Sequence, residues 1–310
     1  MTIVVAGATG LAGSAIVRAY EKNGAEVIGI NRSVCDLLDR EATIDFIKRV
    51  KPAIVVDAAA KVGGIGANNT YPVEFLADNL RIQSNLMEAA HVADVEKFIF
   101  LGSSCIYPRD CAQPIKEEYL LTGPLEETNS AYAIAKIAGI ELIKSYRKEY
   151  GRKWISLMPT NLYGPHDNFE LQGSHVLPAF IRRFVEAKES GRVKETLWGT
   201  GAPMREFLHV DDLAAAVVLA GQKYDSAQHL NIGSGEDQTI KALAELVAEL
   251  ARFDGEIAWD TSKPDGTPRK ILDVTRVKSL GWEPAISLRD GIASTIEWYI
   301  DATAKGVSRR

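Results

Sequence analysis

Side chains that could carry acid–base chemistry cluster between residues 103 and 136, led by Tyr132 and Lys136. These two lie four residues apart in the segment 130–140 (SAYAIAKIAGI), which predicts a helix, so they share one helix face. A tyrosine hydroxyl titrates near ~10, and a lysine ammonium one turn away lowers that pKa by favouring the phenolate. If Ser103 polarises a carbonyl oxygen while Tyr132 supplies the proton, the group performs the acid half of a carbonyl reduction, and a nicotinamide would bring the hydride.

A Tyr-x-x-x-Lys pair taken alone is more often ordinary helix surface, so its context decides between the two interpretations. Residues 95–101 (VEKFIFL) predict a buried strand, and Ser103 follows at its carboxyl end, where open α/β sheets bind their ligands. A second predicted strand, residues 2–6, runs into a glycine turn, from which a helix is expected to begin near residue 14. Such a turn allows a pyrophosphate to approach the N-terminus of the helix.

Strands and helices alternate along the first half of the chain, which predicts the α/β class with a doubly wound parallel sheet. The alternation loosens after residue 162, where we expect a smaller C-terminal α/β substrate domain. The predicted nucleotide-binding domain comprises residues 1–162 plus about 205–232, and the substrate domain comprises about 163–204 plus 233–310. Asp211 or Asp212 is the expected N-cap of a helix that returns to the first domain.

Composition narrows the function classes further. The chain has 310 residues, 46% of them hydrophobic and 25% charged, which is typical of an ordinary soluble globular protein. Its net charge of −5 argues against nucleic acid as a partner. The 3 cysteines do not suggest a disulfide framework, no signal-peptide pattern opens the chain, and no apolar run reaches membrane-spanning length. We therefore expect a cytoplasmic protein with no membrane partner and no metal site.

Longer motifs carry a resemblance to a known family. The glycine turn, Ser103 and the Tyr132/Lys136 pair together resemble the extended short-chain dehydrogenase/reductases. Nearly the whole chain is similar to the GDP-L-fucose synthase family within that group. The matching segments are residues 60–72 (AKVGGIGANNTYP), 102–108 (GSSCIYP), 158–169 (MPTNLYGPHDNF) and 203–212 (PMREFLHVDD).

The resemblance implies a Rossmann fold and a bifunctional enzyme, an isomerase and an oxidoreductase in one site. Its expected substrate is a GDP-linked 4-keto-6-deoxy sugar, GDP-4-keto-6-deoxy-D-mannose. The sugar would be epimerised at C3 and C5 and then reduced at C4 with NADPH, which gives GDP-L-fucose. The resemblance also implies a homodimer that pairs the Tyr132 helix with a long helix over about residues 71–91.

NADP(H) is the expected cofactor. The strand over residues 25–30 is followed by Arg32, where an NAD site usually carries an acidic residue, and Arg32 could pair with a 2′-phosphate. A solvated surface arginine is the alternative. Close relatives of the implied kind carry a second basic residue in the glycine loop, where this chain has Ala8 and Thr9, and that departure weakens the preference. The predicted cofactor-binding residues are Gly7, Thr9, Gly10, Leu11, Gly13, Arg32, Leu101, Gly102, Lys136, Pro159, Asn161 and Leu162.

Cys105 and His175 are the expected acid–base pair of the epimerisation. If residues 103–105 are extended, Cys105 points to the same side as Ser103, and its thiolate could serve as a base. His175 lies in a polar loop, and imidazole titrates near neutrality. A packed cysteine and a solvated histidine are the ordinary interpretations. The resemblance favours the catalytic roles.

The nucleotide end of the substrate calls for cations and an aromatic ring. Arginine binds a phosphate bidentately, lysine binds it as a point charge, and an indole can stack on a base. Helix surface is the alternative role for Arg183, and a core position is the alternative for Trp198. The predicted substrate-binding residues are Ser104, Arg183, Trp198, Arg205 and Lys270.

Two other functions compete with this prediction. An epimerase or ketoreductase acting on another nucleotide sugar would share the fold, but a simple 4-epimerase has no need of an acid–base pair around C3 and C5. A dinucleotide-sensing regulator without turnover could lose Tyr132 or Lys136 at no cost, yet both are present.

Overall fold

The computed structural model describes residues 1–171, 173–263 and 265–308. Its strands are β1 (Thr2–Ala6), β2 (Glu26–Ile30), β3 (Ile54–Asp57), β4 (Lys97–Leu101), β5 (Ile155–Pro159), β6 (Asn161–Tyr163), β7 (Lys194–Trp198), β8 (Met204–His209), β9 (Leu230–Ile232), β10 (Asp237–Thr239), β11 (Glu256–Asp260) and β12 (Arg269–Lys270). Its helices are α1 (Leu11–Lys22), α2 (Arg40–Val50), α3 (Ile65–Thr70), α4 (Pro72–Val92), α5 (Ser130–Tyr150), α6 (Val176–Glu189), α7 (Val210–Lys223), α8 (Ile240–Leu250), α9 (Thr275–Ser279) and α10 (Leu288–Ala304).

The central sheet has six parallel strands in the order β2-β1-β3-β4-β5-β9. Its strands are nearly continuous apolar runs, because helices cover both faces: α1 packs with α7, and α4 packs with α2 and α5. Chain order reverses between β1 and β3, and doubly wound sheets bind ligands beyond the carboxyl ends of the strands at such a point. The predicted doubly wound parallel sheet is confirmed.

A second hydrophobic cluster lies apart from the one around the central sheet. Phe169, Ile181, Phe184, Leu243 and Ile292 belong to it, and they come from α6, α8, α10 and the loop before α6. Beside it, β7 and β11 form a parallel pair that the sequence analysis did not predict. The domain boundaries stay a prediction.

The strand β8 was also missed, and it explains a wrong prediction about the helix that follows. Because β8 runs directly into α7, the N-cap falls on His209, whose Nδ1 accepts a hydrogen bond from the Asp211 amide at 3.2 Å. Asp212 instead binds a distant loop, since its two carboxylate oxygens accept from the amides of Ala285 and Ile286 at 3.0 Å. Neither aspartate caps the helix. In a smaller sheet, β8 is flanked by β10 and β12 and also pairs with β6.

Within the described ranges no helix is both long and apolar enough to cross a membrane.

The α1 helix begins at Leu11, earlier than predicted, because its N-cap is the turn residue Gly10 itself.

Candidate active site

Ser103 and Tyr132 meet beyond the carboxyl end of β4. The two hydroxyl groups are hydrogen-bonded, which lowers the pKa of Tyr132. Burial acts more strongly in the opposite direction, and the neighbouring Cys105 adds to it, so the pKa of Tyr132 is raised overall. The prediction that Lys136 lowers the pKa of Tyr132 is therefore wrong for the protein by itself. Tyr132 keeps its proton throughout the neutral range.

Lys136 points at the main chain of β4 and at a second buried charge. Its Nζ donates to the Leu101 carbonyl oxygen at 2.9 Å and lies 5.8 Å from the centre of the Tyr132 ring. Burial lowers the pKa of Lys136 to about 8, and the carboxylate of Asp57 opposes that change. Asp57 was not among the predicted site residues, although an acid that ends an apolar run was a visible signal. Lys136 thus sits below Tyr132 with a counter-charge of its own.

The backbone after Ser103 differs from the prediction. Residues 104–106 form one turn of 3₁₀ helix, and the Ser103 Oγ accepts from the Cys105 amide at 3.2 Å. The extended conformation predicted for residues 103–105 is therefore wrong. The strand ends at Leu101, and the 3₁₀ turn that follows is capped at its N-terminus by the Ser103 side chain. Cys105 still comes close enough to Tyr132 to raise its pKa.

Lys270 lies against Cys105. Its Nζ is 3.6 Å from the Cys105 Sγ, so a cation neighbours the thiol directly. Lys270 also acts on His175, whose pKa is lowered first by desolvation and then by the Lys270 charge. His175 stands at the N-cap position of α6. The structure thus joins Cys105, Lys270 and His175 in one group.

Arg205 neighbours Lys270 in the small sheet. The two residues are register partners on β8 and β12, so their side chains lie on the same face. Arg205 donates to the Met204 carbonyl oxygen at 2.8 Å, and burial lowers its pKa. Within the described residues no carboxylate pairs with it. Two cations beside each other, one of them half-buried without an acid, suit a phosphate group.

Arg183 and Trp198 are associated with β7. Arg183 donates through Nε to the Glu195 carboxylate at 2.6 Å and through Nη2 to the Thr196 carbonyl oxygen, so most of its guanidinium is already bound. Trp198 is 71% exposed, which rules out a core position, and Lys263 Nζ lies 5.7 Å from its ring. The indole face is available for stacking, whereas Arg183 must share its charge with Glu195. Ser104, the remaining substrate candidate, is buried in the 3₁₀ turn.

The glycine turn has the geometry of a phosphate cradle. Gly7 has a φ of +76°, and a Cβ there would lie 2.7 Å from the Ala58 carbonyl oxygen. A Cβ on Gly13 would lie 2.1 Å from the Gly7 carbonyl oxygen. No side chain caps α1 at Gly10, so the amides of its first turn face outward beside Thr9 and Leu11. The turn can hold a pyrophosphate against bare backbone.

Arg32 lies just beyond the carboxyl end of β2. It is exposed and forms no ion pair with any residue that the structure describes. Together with Ser33 and Arg49 it lines a surface pocket of about 370 Å³. The position and the free charge fit a 2′-phosphate.

The other predicted cofactor residues lie at the carboxyl ends of adjacent strands. Leu101 ends β4 and Gly102 follows it, and a Cβ on Gly102 would lie 2.3 Å from the Met158 sulfur. Pro159 ends β5, while Asn161 and Leu162 lie in β6, where the Asn161 amide donates to the Glu206 carbonyl oxygen at 2.8 Å. Their roles stay predictions.

A buried network that the sequence did not reveal fixes the segment after Cys105. The Tyr107 hydroxyl donates to the Asn231 Oδ1 at 2.5 Å and lies 2.9 Å from the His229 Nε2. The Asn231 Nδ2 in turn donates to the Ile115 carbonyl oxygen at 3.0 Å. Since β9 carries Asn231, these hydrogen bonds tie the turn that presents Cys105 to the central sheet.

Comparisons with known proteins agree with this geometry. The family model described as the NAD dependent epimerase/dehydratase family matches residues 3–233. GDP-L-fucose synthase 1 of Arabidopsis thaliana is 53% identical over 299 residues, which cover 96% of this chain and 93% of that protein. GDP-L-fucose synthase of Escherichia coli is 51% identical, covering 96% of each. The solved structure of a GDP-L-fucose synthetase from Naegleria fowleri bound to NADP superposes with a TM-score of 0.91 at 28% identity, covering 100% of this chain and 96% of that one.

Proposed function

This chain belongs to the NAD dependent epimerase/dehydratase family, and we propose that it converts GDP-4-keto-6-deoxy-D-mannose to GDP-L-fucose with NADPH. The observation that carries this function is the position of Cys105 between two sets of groups. On one side it acts on Tyr132, the acid of a carbonyl reduction, and on the other it contacts Lys270 at 3.6 Å. One pocket can therefore both move a proton at carbon and protonate the adjacent carbonyl oxygen.

The epimerisation uses Cys105 as its base. Its thiolate, stabilised by the Lys270 ammonium, removes the proton from C3 or C5, carbons that the C4 ketone acidifies. The electrons move to the C4 oxygen, which the Ser103 and Tyr132 hydroxyls bind. His175 then returns a proton to the opposite face of the carbon. Because its pKa is lowered, the imidazolium is a strong acid but a minor species at neutral pH.

The reduction uses Tyr132 as its acid. When bound, NADPH supplies the hydride to C4. Tyr132 is protonated at neutral pH because its pKa is raised, so it can give its proton to the developing C4 alkoxide while Ser103 holds the same oxygen. The phenolate that remains is stabilised by Lys136, whose ammonium persists below a pKa of about 8.

The chain's own residues fit both ligands. The bare glycine turn would hold the cofactor pyrophosphate, and Arg32 the 2′-phosphate. For the substrate, Arg205 and Lys270 would bind the diphosphate end, and Trp198 would stack on the guanine. Arg183 contributes less than the sequence implied, because Glu195 already neutralises it.

The domain division, the oligomeric state and the compartment belong to the same proposal. The separate cluster around Phe184 supports a substrate domain over about 163–204 plus 233–310. A homodimer through α4 and α5 is supported by exposed apolar residues on both helices, including Val73 and Ile134. A cytoplasmic location is supported by the free thiols of the three cysteines, since reducing compartments keep cysteines unpaired.

The function is tested by incubating the protein with GDP-4-keto-6-deoxy-D-mannose and NADPH in deuterated water. We expect loss of NADPH absorbance and a product that carries two deuterons at carbon by mass analysis. Oxidation without deuterium incorporation would leave a plain ketoreductase and remove the roles of Cys105 and His175. If NADPH is not oxidised at all, the substrate belongs to another class of nucleotide sugar.

The contribution of Arg32 to cofactor choice can be measured directly. Arg32→Ser is expected to raise the KM for NADPH by roughly ten- to a hundredfold, because one charge-assisted contact to phosphate is lost. The KM for NADH should stay the same, since NADH has no 2′-phosphate. Lys48→Ser, which removes an exposed positive charge from α2, is the matched control and should change neither value. Equal losses with both cofactors would show that Arg32 does not read the 2′-phosphate.

A further inference from the structure

Asp57 is a buried acid to which the mechanism above gives no role. It is the last residue of β3 and only 1% exposed. Its Oδ1 accepts from the Ala59 amide at 3.2 Å, while its Oδ2 has no hydrogen-bond partner within the described residues. Burial raises its pKa to about 6, a rise that the Lys136 charge opposes. A half-satisfied buried carboxyl group destabilises a fold, so its presence calls for a function.

The sheet register brings Asp57 to Lys136. Asp57 on β3 is the register partner of Phe100 on β4, and paired residues of parallel strands present their side chains to the same face. The Phe100 ring lies 4.8 Å from the Lys136 Nζ, on the face that α5 covers. The carboxylate of Asp57 therefore lies beneath α5, on the side from which Lys136 descends to the Leu101 carbonyl oxygen.

The charges that face this pair are few. From β3 only Asp57 acts on Lys136, and no other charged group in the described part of the chain changes the pKa of that lysine. Tyr132 faces the pair from α5, and Cys105 acts on Tyr132 from the turn after β4. Lys136 therefore depends on one buried anion for its charge.

We propose that Asp57 is a positioning residue for the reduction, whose carboxylate keeps the Lys136 ammonium charged and directed beneath Tyr132. This inference rests on the proposed function, because it acts through the tyrosine that protonates C4. Without the carboxylate, burial would act on Lys136 unopposed and bring its pKa below about 8, so that it loses its proton in the neutral range. The phenolate formed in the reduction would then lack its counter-charge.

The test is Asp57→Asn, which keeps the acceptor for the Ala59 amide and removes the charge. We expect the falling limb of the pH profile for single-turnover NADPH oxidation to move by about one to three units towards acid. At about pH 8 the rate should be at least ~5-fold lower, and the difference from the unmodified enzyme should narrow as the pH falls towards about 6. The KM for the sugar nucleotide and the rate of deuterium exchange at carbon should not change, since Cys105 and Lys270 carry out that step.

Ser156→Ala is the matched control. Ser156 pairs with Phe100 from the other neighbouring strand, is 2% exposed, and its hydroxyl has no partner among the described residues. The substitution therefore removes a polar atom of similar burial without removing a charge. Its pH profile should be unchanged. If Asp57→Asn does not fold, Asp57→Ser gives the same comparison with an oxygen acceptor retained. An unshifted profile in a variant that still exchanges deuterium would overturn the inference, whereas an unmodified enzyme that fails to oxidise NADPH would overturn the proposed function instead.

Discussion

Tyr132→Phe is expected to lower the rate of NADPH oxidation by about 10²- to 10⁴-fold, the range that one general acid contributes. The phenyl ring occupies the same space but has no proton to give to the C4 oxygen. Epimerisation should continue, because the Ser103 hydroxyl still binds that oxygen and Cys105 with Lys270 is untouched. We therefore expect deuterium to enter at C3 and C5 within about tenfold of the unmodified rate, while the sugar stays a ketone.

The measurement pairs NADPH absorbance with mass analysis of the recovered sugar nucleotide. Tyr20→Phe serves as the control. Tyr20 lies in α1 and is buried, and its hydroxyl has no partner in the described structure. It should oxidise NADPH at the normal rate. Loss of exchange in Tyr132→Phe would mean that one group serves both reactions, which contradicts the division of labour between Tyr132 and Cys105.

The sequence was sufficient wherever a local pattern determines position. The Tyr132/Lys136 spacing places both residues on one helix face, and the strand that ends at Leu101 places Ser103 at the carboxyl edge of the sheet. Because the carboxyl ends of parallel strands meet at one edge of the sheet, the fold class predicted that these residues lie close together. The glycine turn could also be predicted from the sequence, because the close backbone approach at Gly7 and Gly13 permits no other residue type.

What the sequence could not give depends on contacts between distant segments. Lys270 reaches Cys105 across 165 residues of chain, through a two-residue strand too short to leave a periodic signal. Asp57 acquires its partner only through the register of β3 on β4. The orientation of Cys105 was mistaken because a strand and a 3₁₀ turn can both follow an apolar run, and the Ser103 cap decides between them in three dimensions.

Cys105→Ser is expected to suppress deuterium exchange at C3 and C5 by about 10²- to 10⁴-fold, as removal of a general base does. A serine hydroxyl is far less acidic than a thiol, so the Lys270 ammonium cannot ionise it to a useful extent near neutral pH. Cofactor binding should be unaffected, because the glycine turn and Arg32 lie elsewhere, and a fluorescence titration with NADPH measures this. Any oxidation that persists should yield a product with little deuterium at carbon.

Two further variants test whether the effect of Cys105→Ser is specific to that thiol and whether it depends on Lys270. Cys111→Ser removes a second half-buried thiol, whose pKa burial raises, and should leave exchange unchanged. Lys270→Met, which removes the cation 3.6 Å from the Cys105 Sγ, should reduce exchange by an intermediate amount at neutral pH. The KM for the sugar nucleotide, measured with the same variant, distinguishes an effect on the thiol from a loss of substrate binding. An unchanged exchange rate in Cys105→Ser would remove Cys105 as the base and leave Lys270 as a phosphate ligand alone.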